Sequence, residues 1–379
     1  MSSAGHRESR RTWRWLPALC LAALAAGCGG GGGGGGGGET GRPGADYFPL
    51  AVGDRWSYLS DGVATTVRVE GTVAVGGSEA FVVRIDQPGL SGQVLYTKSD
   101  DAVRAIPAPS TDPVVEALNA IPLLRLPIAS GNRFVELDRL FPAYADYDGD
   151  GRLETLRLRV EVTVLAFEAL STPVGDFTDV AHVRTVVTQS TTYTGNNQNA
   201  SASFSLDDWY APDIGPVRNV TVVGADRSEN ALRAFRVGAL ASERDAPSLI
   251  AVEPADGSIV APPGVRMVFD EPMDVHADTN IGFSLTGPGG DVPGFVFWSS
   301  EQEAFFAPVV DWVSGSYTAA LDGSAEDLAG NPVGTVQSWS FTVDPTLAPA
   351  RPPARIGAAG AGRLVSLHPW GITRLQGIR

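Results

Sequence analysis

The chain has 379 residues, a length that suggests two or three domains. Its 43 acidic residues outnumber 28 basic ones, for a net charge of −15. That sign excludes the basic footprint of a nucleic-acid binder and electrostatic docking on anionic lipid. With 45 glycines and 27 prolines breaking up short apolar segments, and little helical periodicity, the composition predicts an all-β protein.

The chain opens on an export pattern. Arg7, Arg10, Arg11 and Arg14 form a positive n-region. Leu16 to Ala26 is apolar, but crossing a hydrocarbon core of about 30 Å takes roughly 20 such residues. The small residues Ala25-Ala26-Gly27 precede Cys28, as signal cleavage requires. This resembles the lipobox of bacterial lipoproteins, with Ala25 in the slot where leucine is usual and Leu24 one place further out. The resemblance implies a signal peptide over 1–27. It also implies that Cys28 becomes the mature N-terminus and carries a thioether diacylglycerol and an amide-linked chain such as palmitate. The membrane is then a partner through these acyl chains, each buried CH₂ contributing about 0.8 kcal/mol. Gly29 after the cysteine, where an aspartate would retain the protein, points to the outer membrane, on its periplasmic face or at the cell surface. Ser9-Arg10-Arg11-Thr12-Trp13 bears a fainter likeness to a twin-arginine export motif, with Arg14 where an apolar residue is expected.

Removing the leader takes away four arginines and one glutamate, so the counts fall to 24 basic and 42 acidic and the net charge to −18. Cys20 leaves with it, and the mature fold is expected to have no disulfide and no cysteine-ligated metal. Residues 28–45 read as a glycine-rich tether whose seventeen residues from Gly29 to Ala45 reach about 20–25 Å.

The first folded region is expected over 46–240. Tyr47-Phe48-Pro49-Leu50-Ala51-Val52-Gly53-Asp54-Arg55-Trp56-Ser57-Tyr58, Thr172-Pro173-Val174-Gly175-Asp176-Phe177 and Asp208-Trp209-Tyr210-Ala211-Pro212-Asp213-Ile214-Gly215-Pro216-Val217 resemble phrases of uncharacterised bacterial exported β-proteins. The resemblance implies a curved antiparallel sheet or half-barrel and carries no activity. Alternation supports strands independently. Leu156, Leu158, Val160, Val162 and Val164 point one way, and Arg157, Arg159, Glu161 and Thr163 the other, as in a sheet with one wet face. Further strands are expected over Thr65–Val75, Ala80–Ile85, Val180–Thr188 and Gly215–Val223, and a short helical turn within Pro113–Leu124 with Pro113 at its start.

Ser242 to Pro247 reads as a polar linker into a second domain over 246–345. Val252-Glu253-Pro254-Ala255-Asp256-Gly257-Ser258, Val265-Arg266-Met267-Val268-Phe269-Asp270-Glu271-Pro272-Met273-Asp274, Phe306-Ala307-Pro308, Gly315-Ser316-Tyr317-Thr318, Asp327-Leu328-Ala329-Gly330-Asn331 and Trp339-Ser340-Phe341-Thr342-Val343 resemble, in order and spacing, the bacterial Ig-like domain of the S-layer (SbsA) type. That implies an Ig-like β-sandwich of seven strands, with Met267 and Phe269 facing inward, Tyr317 in a corner role through its hydroxyl, and a tight bend at Asp327 to Asn331. Residues 346–379 hold five arginines and no acid among many Pro, Gly and Ala, the composition of a disordered tail.

Asp146-Tyr147-Asp148-Gly149-Asp150-Gly151-Arg152-Leu153-Glu154 carries the sharpest chemical signal. Carboxylates at alternating positions converge on one hard cation, and glycine permits the turn. The candidate ligands are Asp146, Asp148, Asp150, the Arg152 backbone carbonyl and Glu154. The ion expected is a structural Ca²⁺. An EF-hand would need a glutamate at position twelve, where Arg157 stands, so the phrase is closer to the shorter loops of integrin-propeller type.

His182, on a predicted strand, and His276, in a predicted loop, are expected to face solvent. The carboxylate pairs Asp207-Asp208 and Glu301/Glu303 and the aromatics Trp209, Tyr210, Phe295, Phe297, Trp298, Phe305 and Phe306 read as surface and core before they read as a glycosidase or a sugar platform. The expectation is a non-enzymatic, membrane-anchored envelope lipoprotein with no catalytic residues: an adhesion, scaffolding or ligand-binding module. Its partner would be an envelope protein or polysaccharide and not nucleic acid. The alternatives are a carrier of a hydrophobic ligand in the N-terminal domain and, behind it, a carbohydrate-active hydrolase.

Overall fold

The computed structural model describes residues 41–347 apart from 61–62, 88–89, 108, 196, 263 and 276–280, together with 367–368 and 371–372. The leader, Cys28, the glycine tether to residue 40, His276 and most of the predicted tail lie outside the described residues.

The N-terminal unit holds β1 (Arg55–Ser60), β2 (Val63–Val75), β3 (Ser78–Gln87), β4 (Leu90–Lys98), β5 (Ala102–Ile106), α1 (Pro113–Asn119), β6 (Leu124–Arg125), β7 (Arg133–Ala145), β8 (Glu154–Thr172), β9 (Gly175–Thr192), β10 (Asn199–Ala211), β11 (Gly215–Val223), β12 (Asp226–Val237) and β13 (Leu240–Ala241). They form one sheet in the order β6-β5-β4-β3-β2-β1-β12-β11-β10-β9-β8-β7, with β13 paired to β12. Neighbours are joined antiparallel.

The sheet curls, and one ring shows why. β4 and β10 stand six positions apart, which would separate them by roughly 29 Å in a flat sheet. Yet Phe48 lies 6.2 Å from the ring of Tyr96 on β4 and 6.1 Å from that of Tyr210 on β10. The segment before β1 thus fills the hollow of a half-barrel, whose core gathers Phe48, Trp56, Tyr58, Tyr96, Tyr210 and Leu232.

Two phrases far apart in sequence meet here. Trp56 Nε1 donates to the Ile214 carbonyl at 2.7 Å and Tyr58 Oη to that of Pro216 at 2.8 Å. Asp213 N donates to the Asp46 carbonyl at 2.7 Å. Gly215 (φ +93°) is needed at this crossing, because a Cβ there would come within 3.2 Å of Pro49.

The predicted alternation on β8 holds. Leu156, Leu158, Val160 and Val164 are buried, and Arg157 and Arg159 pair outside with Asp138 at 2.7 and 2.8 Å. β8 runs longer than its alternating stretch, to Thr172, by absorbing bulges at Val164/Ala166 and Glu168/Leu170. Pro113 opens α1, and the Asp112 carboxylate accepts from Val114 N at 2.8 Å and Val115 N at 3.3 Å as the N-cap.

The C-terminal unit is a sandwich of β14 (Leu249–Glu253), β15 (Ile259–Val260), β16 (Val265–Phe269), β17 (Phe283–Gly287), β18 (Gly290–Asp291), β19 (Gly294–Ser300), β20 (Glu303–Pro308), β21 (Gly315–Leu321) and β22 (Gln337–Val343). The sheets run β14-β16-β20-β19 and β15-β22-β21-β17-β18. Seven of these strands have five residues or more. The two short ones, β15 and β18, are additions to the expected seven, and β15 pairs with β22 in parallel. Met267 and Phe269 are buried, and the Tyr317 hydroxyl donates to the Val313 carbonyl at 2.9 Å and accepts from Val313 N at 3.0 Å. Two short strands, β23 (Leu367–His368) and β24 (Gly371–Ile372), pair with each other.

Candidate functional site

The acidic turn between β7 and β8 is built by its own side chains. Asp146 accepts from Gly149 N at 2.6 Å and Gly151 N at 2.9 Å. Asp148 accepts from Asp150 N at 3.1 Å, and Asp150 from Arg152 N at 2.8 Å. Glu154, the first residue of β8, is fully buried, and its Oε2 accepts from Tyr147 N at 2.6 Å. One carboxylate oxygen from each of Asp146, Asp148, Asp150 and Glu154 lies within 4.8 Å of the others. The structure therefore brings the four predicted carboxylates together, with Arg152 in the same turn. Burial, then the nearby Asp112 and Glu154 carboxylates, pushes the Tyr147 hydroxyl up to about 12.

His182 departs from expectation. The β9–β10 register sets it opposite Trp209, and the two rings stack 4.2 Å apart. Its Nε2 lies 2.8 Å from Asp207 and its Nδ1 3.4 Å from Glu168. Arg184 binds Asp207 at 2.7 Å, Trp209 Nε1 donates to Glu168 at 2.5 Å, and the Arg218 guanidinium sits 4.8 Å from the Trp209 ring centre. The half-buried imidazole thus faces two carboxylates instead of solvent.

The carboxylate pairs do not converge. Asp207 and Asp208 are successive strand residues and point to opposite faces. Asp207 meets His182 and Arg184, while Asp208 is buried and accepts from Asn219 Nδ2 at 2.6 Å. Burial, with Asp207 adding to it, pushes Asp208 up to about 7. Glu301 is held by Arg233, and Glu303 by Arg266.

The aromatic set divides. Tyr210 and Phe306 are core, and Trp209 is covered by His182 and Arg218. Phe295 and Phe297 are 56% and 46% exposed. They project from β19, the edge strand of its sheet, and Phe297 stacks on Phe305 at 5.5 Å. An open groove of about 380 Å³ lies on the same unit, lined by Leu249, Ile250, Val252, Val336 and Trp339.

The two units also meet at a polar junction that none of the sequence expectations contains. Arg55 and Ser57 on β1 face away from the half-barrel core and are buried under the sandwich. Arg55 pairs with the buried Asp274, donates to Glu326 at 2.6 Å and reaches the Asp327 carbonyl at 3.1 Å. Ser57 donates to the Leu328 carbonyl at 2.9 Å, and Arg236 binds the Ala329 carbonyl and Asn331. Arg233 clamps Glu301 with bonds of 2.7 and 2.9 Å. The stretch Ser242 to Pro247 is tied in as well, since Glu243 accepts from Asn331 Nδ2 at 2.7 Å. Burial and the adjacent Asp327 push Glu243 up to about 7. The one available signal was an arginine within the otherwise apolar phrase that opens the N-terminal unit.

Solved structures that align with part of the chain include two bacterial proteins. One is a candidate lipoprotein from Parabacteroides distasonis, 13% identical over 51% of this chain and 99% of that one, with a TM-score of 0.30. The other is a candidate exported protein with a YmcC-like fold from Bacteroides fragilis, 18% identical over 51% and 99%, with a TM-score of 0.26. No curated protein matches the chain. Residues 243–343 match the family model of the bacterial Ig-like domain, the stretch that folds as the sandwich described above.

Proposed function

We propose that this chain is a non-enzymatic binding module of the bacterial envelope, anchored in the outer membrane by acyl chains on Cys28 and recognising an envelope protein through its Ig-like domain. The observation that carries this reading is the aromatic edge of the sandwich. Among the described residues β19 pairs only with β20, so its outer backbone edge is open to an added strand. Phe295 and Phe297 stand exposed beside that edge, where aromatic side chains contribute most to partner binding. The hollow of the N-terminal sheet is filled by Phe48, Trp56, Tyr58 and Tyr96, which leaves recognition to the outer surfaces.

Chemical cross-linking in intact cells tests the contact. The wild-type chain is expected to give a discrete cross-linked partner band that Phe295→Ser/Phe297→Ser loses while keeping its melting temperature. A band that survives the double substitution would reject this surface. The anchor has its own measurement. Cys28→Ser is expected to move the protein from the membrane fraction to the soluble fraction, and retention on the membrane would reject lipidation at Cys28.

A further inference from the structure

Two groups of clustered carboxylates occur among the described residues. In the group at the domain junction, Asp327 already accepts from Asn331 N and Nδ2, and Glu243 also accepts from Asn331 Nδ2. The turn between β7 and β8 is different. Glu154 is 0% exposed and its Oε1 has no hydrogen-bond partner, although its Oε2 has Tyr147 N. A buried carboxylate oxygen left without a donor is costly unless a cation meets it.

The surrounding pairing sharpens the contrast. On the same sheet Asp86, Glu136, Asp138, Glu161 and Asp207 each meet an arginine. Among the described residues no arginine, lysine or histidine forms an ion pair with Asp146, Asp148, Asp150 or Glu154.

We propose that Asp146, Asp148, Asp150 and Glu154 bind one calcium ion, with the buried Glu154 Oε1 as the ligand that ties the turn to β8. The donors are all hard oxygens, which selects an alkaline-earth ion over zinc or copper. Their atoms lie no farther apart than opposite ligands on one calcium at about 2.4 Å. Carboxylates of two different lengths on one loop suit the irregular coordination of calcium better than the strict octahedron of magnesium. The ion also has structural reach. Thr194 Oγ1 donates to the Leu153 carbonyl at 2.8 Å, and a Cβ at Gly195 would meet Asp150 Oδ2 at 2.7 Å, so the turn leans on the β9–β10 connection. Filling the site therefore fixes two neighbouring hairpin tips at one end of the sheet.

Isothermal titration of calcium into the full chain, stripped with chelator, tests this. The expected result is one saturable site per chain and a rise in melting temperature that equimolar magnesium does not reproduce. Asp148→Asn, at an exposed position, is expected to match the wild type in chelator while its calcium affinity falls about tenfold or more. Glu154→Gln is expected to lose the calcium-dependent rise, and should it not fold, Asp148→Asn carries the test alone. The proposal is overturned if millimolar calcium gives neither heat nor a thermal shift, or if Asp148→Asn binds as the wild type does.

Discussion

Asp208 lies on the inward side of β10, where burial raises its carboxyl to about 7 and the Asn219 amide is its partner. Its unfolded counterpart titrates near 3.9. The folded chain therefore holds this proton over a pH range in which the unfolded chain has released it. The associated stability is fully present below about pH 4 and is lost as pH rises through about 7. Asp208→Asn keeps an acceptor for Asn219 and removes the titration. We expect its urea midpoint to equal that of the wild type near pH 4 and to exceed it at pH 8, and equal midpoints at both would refute the assignment. At this scale sequence reading works where partners are local. Asp146 to Glu154 assemble within nine residues, so their spacing alone announced the cluster. His182 takes its partners from Glu168 and Asp207, on flanking strands, and nothing in its own neighbourhood could reveal the stack on Trp209.

β8 and β19 show what periodicity can and cannot convey. On β8 apolar and charged residues alternate, so the buried face follows from the pleat. On β19 the run Phe295-Val296-Phe297-Trp298 is apolar on both faces, the pattern of a strand covered on both sides. Only the topology, which puts β19 at an edge, exposes Phe295 and Phe297. The Asp327 to Asn331 turn was legible as a bend, with Asp327 accepting from Asn331 N at 2.8 Å. Its second task was not, because docking on β1 depends on a strand some 270 positions earlier. Gly330 serves both tasks. Its φ is +82°, and a Cβ would stand 3.1 Å from Arg55 Nη1. Gly330→Ala is expected to cost about 1–3 kcal/mol in chemical unfolding, whereas Gly289→Ala, with open space around its Cβ, serves as the mild control.

The two units bury an arginine between them, a contact expected to couple their unfolding. Arg55 and Asp274 are 4% and 2% exposed, and Arg233–Glu301 forms a second clamp at the rim. Removing one partner of a buried pair leaves the other charge uncompensated, at about 3–5 kcal/mol. Arg55→Ala is expected to fall at the low end, because Arg68 Nη1 still lies 3.9 Å from Asp274 and Thr66 Oγ1 reaches it at 3.3 Å. The wild type is expected to unfold in a single urea transition and Arg55→Ala in two, as followed by tryptophan fluorescence. A single unshifted transition would show that the junction contributes little. The clasp at the start of the described chain has a mechanical meaning. Arg42 binds Asp213, Asp46 binds Lys98 at 2.5 Å, and the Tyr47 hydroxyl donates to the Asp179 carbonyl at 3.0 Å. These three grips lie on both arms of the curled sheet. Tension entering from an anchored N-terminus would therefore load β4, β9 and the β10–β11 turn together in shear, instead of peeling β1 away one hydrogen bond at a time. A partner pulling on the sandwich would pass that load through Arg55 and Arg233 at the junction.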